Sequence, residues 1–271
     1  MRPTDKATQV TLKSAFSATR TVVGMTTTPH TRPTTRQRAD RPLLLPGQTH
    51  AAPGPHDMTG MYVVHHGFRR DLAAFEAAVR NTPVDDAEVW ELLRKRWDGF
   101  AAVLHHHHEL EDEYYWPEML RRTRQVGLQS AVETLTAMEA EHHEIDPALA
   151  DCEAGLTAMV AHPCPAHRDD LDAAVTRTRV ALLDHLRHEE TEAIPLMQRM
   201  LPTEVWEESE RVALSTFPKR FVPFLVGWGL HGLPDDAARR MMAKAGPAYV
   251  VVHRLVGRRW ERRERRTFKY A

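Results

Sequence analysis

The chain has 271 residues and a formal net charge of −1 at pH 7, from 36 basic and 37 acidic side chains. This balance gives no reason to expect a polyanionic partner for the whole chain, and no apolar stretch reaches the roughly 20 residues that a membrane-spanning helix needs. The two cysteines, Cys152 and Cys164, are too few for a disulfide framework and lack the CxxC spacing, which favours a reducing, cytoplasmic location.

Residues 1–57 are rich in Thr, Pro and Arg, contain few aromatic residues and show no sustained apolar period. Such a segment buries too little apolar surface to offset the entropy of ordering. The composition therefore predicts a disordered leader that precedes the folded domain.

Four segments between residues 58 and 200 repeat apolar residues at intervals of three and four, which is typical of helices packed in a bundle. In each segment, histidines or glutamates occupy positions of the apolar stripe. The first stripe contains His65, the third His142, and the fourth His185 and Glu189. The stripe of the second helix consists of Leu93, Trp97, Phe100, Leu104, His107, Glu111 and Tyr114.

The chain contains an internal repeat. His107 lies four residues before Glu111, and His185 lies four residues before Glu189; each glutamate is followed by an acidic residue and, six positions later, by a proline. A single histidine precedes each pair by a similar distance, 42 residues in the first half and 43 in the second. Repetition on this scale indicates two copies of one supersecondary unit.

Ionisable side chains that face a bundle core are costly unless something satisfies them, and a bound cation removes that cost. Helix lengths place the ligand positions of the second and third helices roughly 21 Å from the same end of the bundle, at 1.5 Å per residue. Imidazole and carboxylate ligands without thiolate favour iron over structural zinc, and a carboxylate can bridge two ions. The predicted metal ligands are His65, His107, Glu111, His142, His185 and Glu189.

Other histidines near these positions fall outside the apolar stripes. We assign them to solvated helix faces, with a supporting role beside the ligands as the alternative for His108. This group comprises His66, His105, His106, His108, His143 and His188.

Residues 58–200 resemble the hemerythrin-like (HHE cation-binding) family. The resemblance rests on the six predicted ligands and on the residues that follow them, including Asp112, Pro117, Glu190 and Pro195. It implies an all-α fold, an up-and-down four-helix bundle, around two iron ions bridged by two carboxylates. It also implies that the protein binds dioxygen or a related diatomic or peroxide ligand.

The oxygen-carrying members of that family have a further histidine four residues from the one on the third helix. Here Met138 and Asp146 stand at those positions, and Glu189 and Glu190 stand four and five residues after His185. With one imidazole fewer, the centre is less suited to simple oxygen transport. A ferritin-like di-iron bundle is disfavoured because it needs two Glu-x-x-His pairs. A metal-free bundle is disfavoured by the cost of unpaired buried charges.

Several further residues are expected around the centre. Glu141, Asp146 and Asp184 are candidates to orient ligand imidazoles through the second ring nitrogen. Phe68 and Tyr114 are expected to line the pocket, where aromatic residues also serve as ordinary core.

Residues 201–271 form a predicted helical C-terminal extension. Its apolar run over residues 221–230 is too short to span a membrane and is expected to pack on the bundle, over one open end. Its arginine-rich end is interrupted by Glu261 and Glu264, which favours a solvated helix end over nucleic-acid binding. Three functions stay open: turnover of peroxide or nitric oxide, oxygen binding or storage, and sensing through this extension to a protein partner.

Overall fold

The computed structural model describes residues 42–271 of the chain. Over this range it contains helices and no β-strand, which confirms the predicted all-α class. The part of the predicted leader up to residue 41 lies outside the described residues. The α-helices are α1 (Thr59–Asn81), α2 (Ala87–Leu110), α3 (Trp116–Gln125), α4 (Gln129–Ala161), α5 (Pro165–His188), α6 (Ile194–Met200), α7 (Thr203–Thr216), α8 (Val222–Leu230) and α9 (Asp235–Thr267).

The long helices α1, α2, α4 and α5 correspond to the four predicted stripes. Helix α4 packs against α5 and α2, and α1 packs against the same α5 and against α2, so each of the four contacts two others. The side chain of Asp86 caps α2 by accepting a hydrogen bond from the backbone N–H of Val89 at 3.2 Å. The stripes form the core, which includes Phe68, Leu72, Phe75, Trp97, Phe100, Leu104, Ile145, Leu149, Leu156, Val175 and Leu182.

Helices α2 and α5 both continue into one turn of π-helix, Glu111–Tyr115 and Glu189–Ala193. A π-helical turn contains an extra residue, so the face that points to the core shifts by one position. For this reason Tyr114, predicted to face the core, is 36% exposed, whereas Tyr115 is buried. The prediction for Tyr114 is wrong because it assumed an unbroken α-helical period.

Residues 42–57, assigned to the disordered leader from composition, pack against the bundle. Leu43, Leu45 and Ala52 are buried, and the backbone N–H of Ala52 donates a hydrogen bond to the hydroxyl of Tyr62 at 2.9 Å. The assignment failed here because these few apolar residues lack helical periodicity but still contact the core that contains Tyr62 and Met119.

The apolar run of the C-terminal extension packs along the bundle rather than over its open end, whereas Trp206 of α7 and Ala237 of α9 pack against residues at one end of it. Helix α8 lies against the middle of α1 and α2. A side-chain carbon at Gly67 would lie 2.5 Å from the ring of Trp228, and one at Gly99 would lie 2.4 Å from the ring of Phe224. Glycine at both positions therefore permits this close approach. Across residues 42–271, no helix has the length and apolar character needed to cross a membrane.

Candidate metal centre

The six predicted ligands lie together inside the bundle. Three come from the first half of the chain, on α1, α2 and the first π-helical turn, and three come from α4, α5 and the second π-helical turn. Each is at most 8% exposed, in keeping with its place in an apolar stripe. Their potential ligand atoms form overlapping groups, within which all atoms lie within 4.8 Å of one another: one contains His65, His107 and Glu189, and another Glu111, His185 and Glu189.

The glutamates occupy the middle of this arrangement. The Oε2 atom of Glu189 lies 3.0 Å from Nε2 of His65, and the Oε2 atom of Glu111 lies 3.4 Å from Nε2 of His142. On its own helix, Glu111 also lies 3.5 Å from Nδ1 of His107 through Oε1. Glu111 therefore faces imidazoles of α2 and α4, and a ligand atom of Glu189 lies within 4.8 Å of ligand atoms of His65, His107 and His185.

The π-helical turns explain how two consecutive acidic residues serve different partners. Glu111 and Glu189 begin these turns and point to the centre, while Asp112 and Glu190 reach the outer nitrogens of histidines on neighbouring helices. Asp112 accepts from Nδ1 of His142 at 2.9 Å. π-Helical turns are rare and occur frequently at functional sites.

Carboxylates hold the outer Nδ1 atom of three predicted ligands. Besides the pairing of Asp112 with His142, Glu190 accepts from His65 at 3.0 Å and Glu141 accepts from His185 at 2.8 Å. Such a contact fixes the ring orientation and directs Nε2 toward the centre. The outer nitrogen of His107 has no comparable partner from another helix among residues 42–271.

Of the three acidic residues predicted to orient imidazoles, only Glu141 does so. Asp184 is 70% exposed at its side chain and lies 3.7 Å from Arg187, and Asp146 lies 3.9 Å from the exposed His105. Asp112 and Glu190 were not assigned this role from the sequence. The sequence nevertheless contained a sign of this role, because an acidic residue directly follows the glutamate in both copies of the repeat.

The polar atoms that face the centre fit a metal rather than a hydrogen-bonded network. Four ring nitrogens and four carboxylate oxygens are buried and form no hydrogen bond of suitable geometry with any residue of the 42–271 range, although Nε2 of His65 and of His142 lie 3.0 and 3.4 Å from oxygens of Glu189 and Glu111. Buried polar groups are nearly always paired, and leaving one unpaired costs about 1–3 kcal/mol. Imidazole nitrogen and carboxylate oxygen are a donor set that iron accepts. The eight atoms are Nε2 of His65, His107, His142 and His185, with both oxygens of Glu111 and Glu189.

The electrostatics of the site are set by burial and by the close carboxylates. Burial favours a neutral ring, but Glu189 and Glu190 outweigh it and raise the pKa of His65 to about 10. Burial and then the charge of Glu189 raise the pKa of Glu111 to about 8. Burial also lowers the pKa of His107 well below its ordinary value. Metal ligands must be deprotonated, so a cation that binds here displaces protons from His65 and Glu111.

Not every histidine outside the stripes is solvated. His105 and His143 are exposed as predicted, and His106 and His188 are partly exposed. His66 and His108 are buried, so the assignment of these two to solvated faces is wrong. His66 contacts the carbonyl of Pro46 at 3.4 Å, in the segment that was expected to be disordered.

His108 joins the centre itself. Its ligand atoms form a third group with those of His142 and His185, within the same 4.8 Å limit. The sequence did not predict this position for His108. Successive residues of an ideal helix are rotated by about 100°, so the residue after His107 is expected to point away from the apolar stripe. Of the two predicted lining residues, Phe68 is buried with its ring centroid 5.6 Å from that of His107, whereas Tyr114 is half-exposed.

Comparison with known proteins gives a family match and no individual relative. No curated protein matches the chain, and no solved structure matches it. The model of the hemerythrin HHE cation-binding domain matches residues 58–197, which nearly coincides with the predicted domain over residues 58–200. The match spans more than half of the chain and contains all six predicted ligands together with His108. The chain therefore belongs to the hemerythrin HHE cation-binding family.

Proposed function

We propose that this chain is a non-haem di-iron protein that binds dioxygen or a related small oxidant. The observation that carries the proposal is the set of eight buried ligand atoms, from four histidines and two glutamates, that form no hydrogen bond of suitable geometry within the described residues. His65 and His107 would hold one ion, His142 and His185 the other, and Glu111 and Glu189 would bridge them. Membership of a cation-binding family supports the metal, and the nitrogen and oxygen donors favour iron.

When bound, the iron pair supplies redox chemistry toward dioxygen, peroxide or nitric oxide. The chain's own residues then determine what reaches it. His107 is 8% exposed and is the most exposed of the six predicted ligands, while Phe68 closes the space beside it with a fully buried ring. The burial of all six predicted ligands favours a small ligand, such as a diatomic molecule or peroxide, over a larger substrate.

The proposal is tested with iron-loaded protein and two neighbouring substitutions. We expect His142→Ala to lose iron and the spectral response to dioxygen, peroxide and nitric oxide. His143→Ala, which changes an exposed histidine one residue away, should retain both. Peroxide or nitric oxide consumption above that of free iron would identify an enzyme, and a reversible response to dioxygen without consumption would identify a binding or storage protein. The absence of any response from iron-loaded wild type would contradict the proposal.

Sensing through the C-terminal extension is a second candidate, favoured by one set of contacts. The ring of Phe68 lies 5.6 Å from His107 and 5.4 Å from Trp228 on α8, measured between ring centroids. A change at the centre that moves His107 would therefore reach α8 through two aromatic contacts, and from there a protein partner. Limited proteolysis beyond residue 200 should then differ between iron-loaded and iron-free protein, and identical cleavage would count against this function.

The cytoplasm is the proposed location. Cys152 and Cys164 are both free, and Cys152 is buried beside Thr178, with its sulfur 3.2 Å from the hydroxyl. Free thiols are usual in a reducing compartment.

A further inference from the structure

His108 stands out from the histidines that surround the centre. It is 4% exposed, and its ring stacks on that of His142 with centroids 3.9 Å apart and an interplanar angle of 10°. Its ring centroid also lies 5.4 Å from that of His185. The imidazole therefore lies beside both histidines assigned to one of the metal positions, whose own ring centroids are 4.7 Å apart.

Both ring nitrogens of His108 are unpaired. Neither Nδ1 nor Nε2 forms a hydrogen bond with any residue in the described part of the chain. A neutral imidazole carries one donor and one acceptor, and burying either without a partner is unfavourable. By contrast, His142 and His185 each have Nδ1 bound to a carboxylate and only Nε2 unpaired.

The internal repeat shows what this position holds when no polar group is needed. His108 follows His107, and the equivalent residue after His185 is Leu186, which is fully buried in the core. A leucine thus fits the same place in the other half of the repeat. The imidazole at residue 108 breaks the symmetry of the repeat at a position where packing alone is satisfied by an apolar side chain.

Resting on the di-iron centre proposed above, we propose that His108 is a metal ligand, the third imidazole of the ion held by His142 and His185. The proposal accounts for the burial of His108, for its unpaired nitrogens and for the proximity of the three sets of ligand atoms within 4.8 Å. It makes the two metal positions unequal, with three imidazoles at one and the two of His65 and His107 at the other.

The test measures binding of cobalt(II) to the metal-free chain by equilibrium dialysis, with the visible ligand-field spectrum and the metal-induced rise in unfolding temperature as further readouts. His108→Leu introduces the residue found at the equivalent position of the other repeat, and His108→Gln keeps a polar side chain. His143→Gln, which changes the exposed histidine next to His142, is the control. Wild type and control should bind two ions. Loss of a residue that only orients a metal ligand typically weakens metal binding about 10- to 100-fold. Loss of a direct ligand should therefore weaken the binding of one of the two ions at least tenfold in both His108 variants.

The spectrum of the retained ion should stay the same in these variants, and the metal-induced rise in unfolding temperature should shrink. Circular dichroism of the metal-free forms establishes that each variant is folded, and if leucine prevents folding, the glutamine variant decides. Two ions bound with wild-type affinity and an unchanged cobalt spectrum in a folded His108 variant would overturn the proposal. Failure of wild type itself to bind two ions would instead contradict the di-iron centre.

Discussion

Each histidine of the centre is useful only if its ring is held in one orientation. Asp112 does this for His142 with both carboxylate oxygens, at 2.9 and 3.0 Å from Nδ1. Glu190 holds His65 and is itself held by the guanidinium of Arg69 at 2.7 Å and the backbone N–H of Thr49 at 2.7 Å. The orientation of one predicted ligand thus depends on a segment outside the bundle.

The contact between Asp112 and His142 gives a prediction. Asp112→Ala should weaken metal binding by about 10- to 100-fold, because the imidazole loses both its fixed orientation and the carboxylate that raises its basicity. Glu113→Ala, an exposed acidic residue in the same π-helical turn, is the matched control. Competition with a chelator measures both affinities. Equal affinity in the two variants would show that Asp112 does not support His142.

At the scale of single residues, the sequence was sufficient to place in the core the candidate ligands whose positions fall in an apolar stripe. A histidine or glutamate within the stripe has to face the core, and all six predicted ligands do. It was insufficient for His108, because ideal helical periodicity places that side chain outside the stripe. The tertiary packing of α2 against α4 brings it close to His142 and His185, and no single helix encodes that.

At the scale of elements, the docking of the extension depends on a buried carboxylate. Asp71 on α1 binds Arg96 of α2 at 2.8 Å and accepts from the indole N–H of Trp228 on α8 at 2.9 Å. Arg96 in turn lies 3.3 Å from Glu264 on α9. One network therefore joins the bundle helices α1 and α2 to helices α8 and α9 of the extension.

The ionisation of Asp71 predicts how stability depends on pH. Burial acts to raise its pKa, but Arg96 and Arg70 outweigh burial and hold the pKa below its ordinary value. A depressed folded pKa contributes stability that is present above the unfolded pKa of about 3.9 and is lost as pH falls toward the folded pKa. Asp71→Asn should therefore cost about 3–5 kcal/mol at pH 7, as expected when one partner of a buried ion pair is removed.

Urea unfolding of wild type and Asp71→Asn at pH 7 and near pH 3 measures the difference in their free energies of unfolding. This difference should be smaller at the lower pH. Glu91→Gln is the control, since it breaks an exposed pair with Lys95 and should cost less than about 1 kcal/mol. A loss for Asp71→Asn that is no larger than that of the control, or that is the same at both pH values, would contradict the assigned role.

The helix boundaries show which parts of the fold could be predicted from the sequence and which could not. Apolar periods predicted the long helices because this signal is local. The π-helical turns could not be predicted, since they arise where bundle packing and the ligands require the chain to rotate by one residue. The packing of residues 42–57 was also not predicted. Isolated apolar residues such as Leu43 and Leu45 follow no helical or strand period, so only the tertiary structure shows which surface buries them.

For the whole molecule, the family domain forms the inner part of a larger structure. Residues 42–57 are linked to the centre by the hydrogen bond from Thr49 to Glu190, and the extension is linked to it by the contact of its Trp228 with Phe68 of α1. Both lie outside the matched range of residues 58–197. We therefore expect metal binding, stability and the state of the extension to be coupled in this protein.

The central claim is that the chain binds two iron ions at the repeated histidine and glutamate pairs. Elemental analysis of the purified full chain, with its visible absorption spectrum before and after metal removal, tests it most directly. We predict two irons per chain, with a visible absorption and a raised unfolding temperature that are both lost with the metal. A single zinc, or no metal after iron loading, would contradict the account.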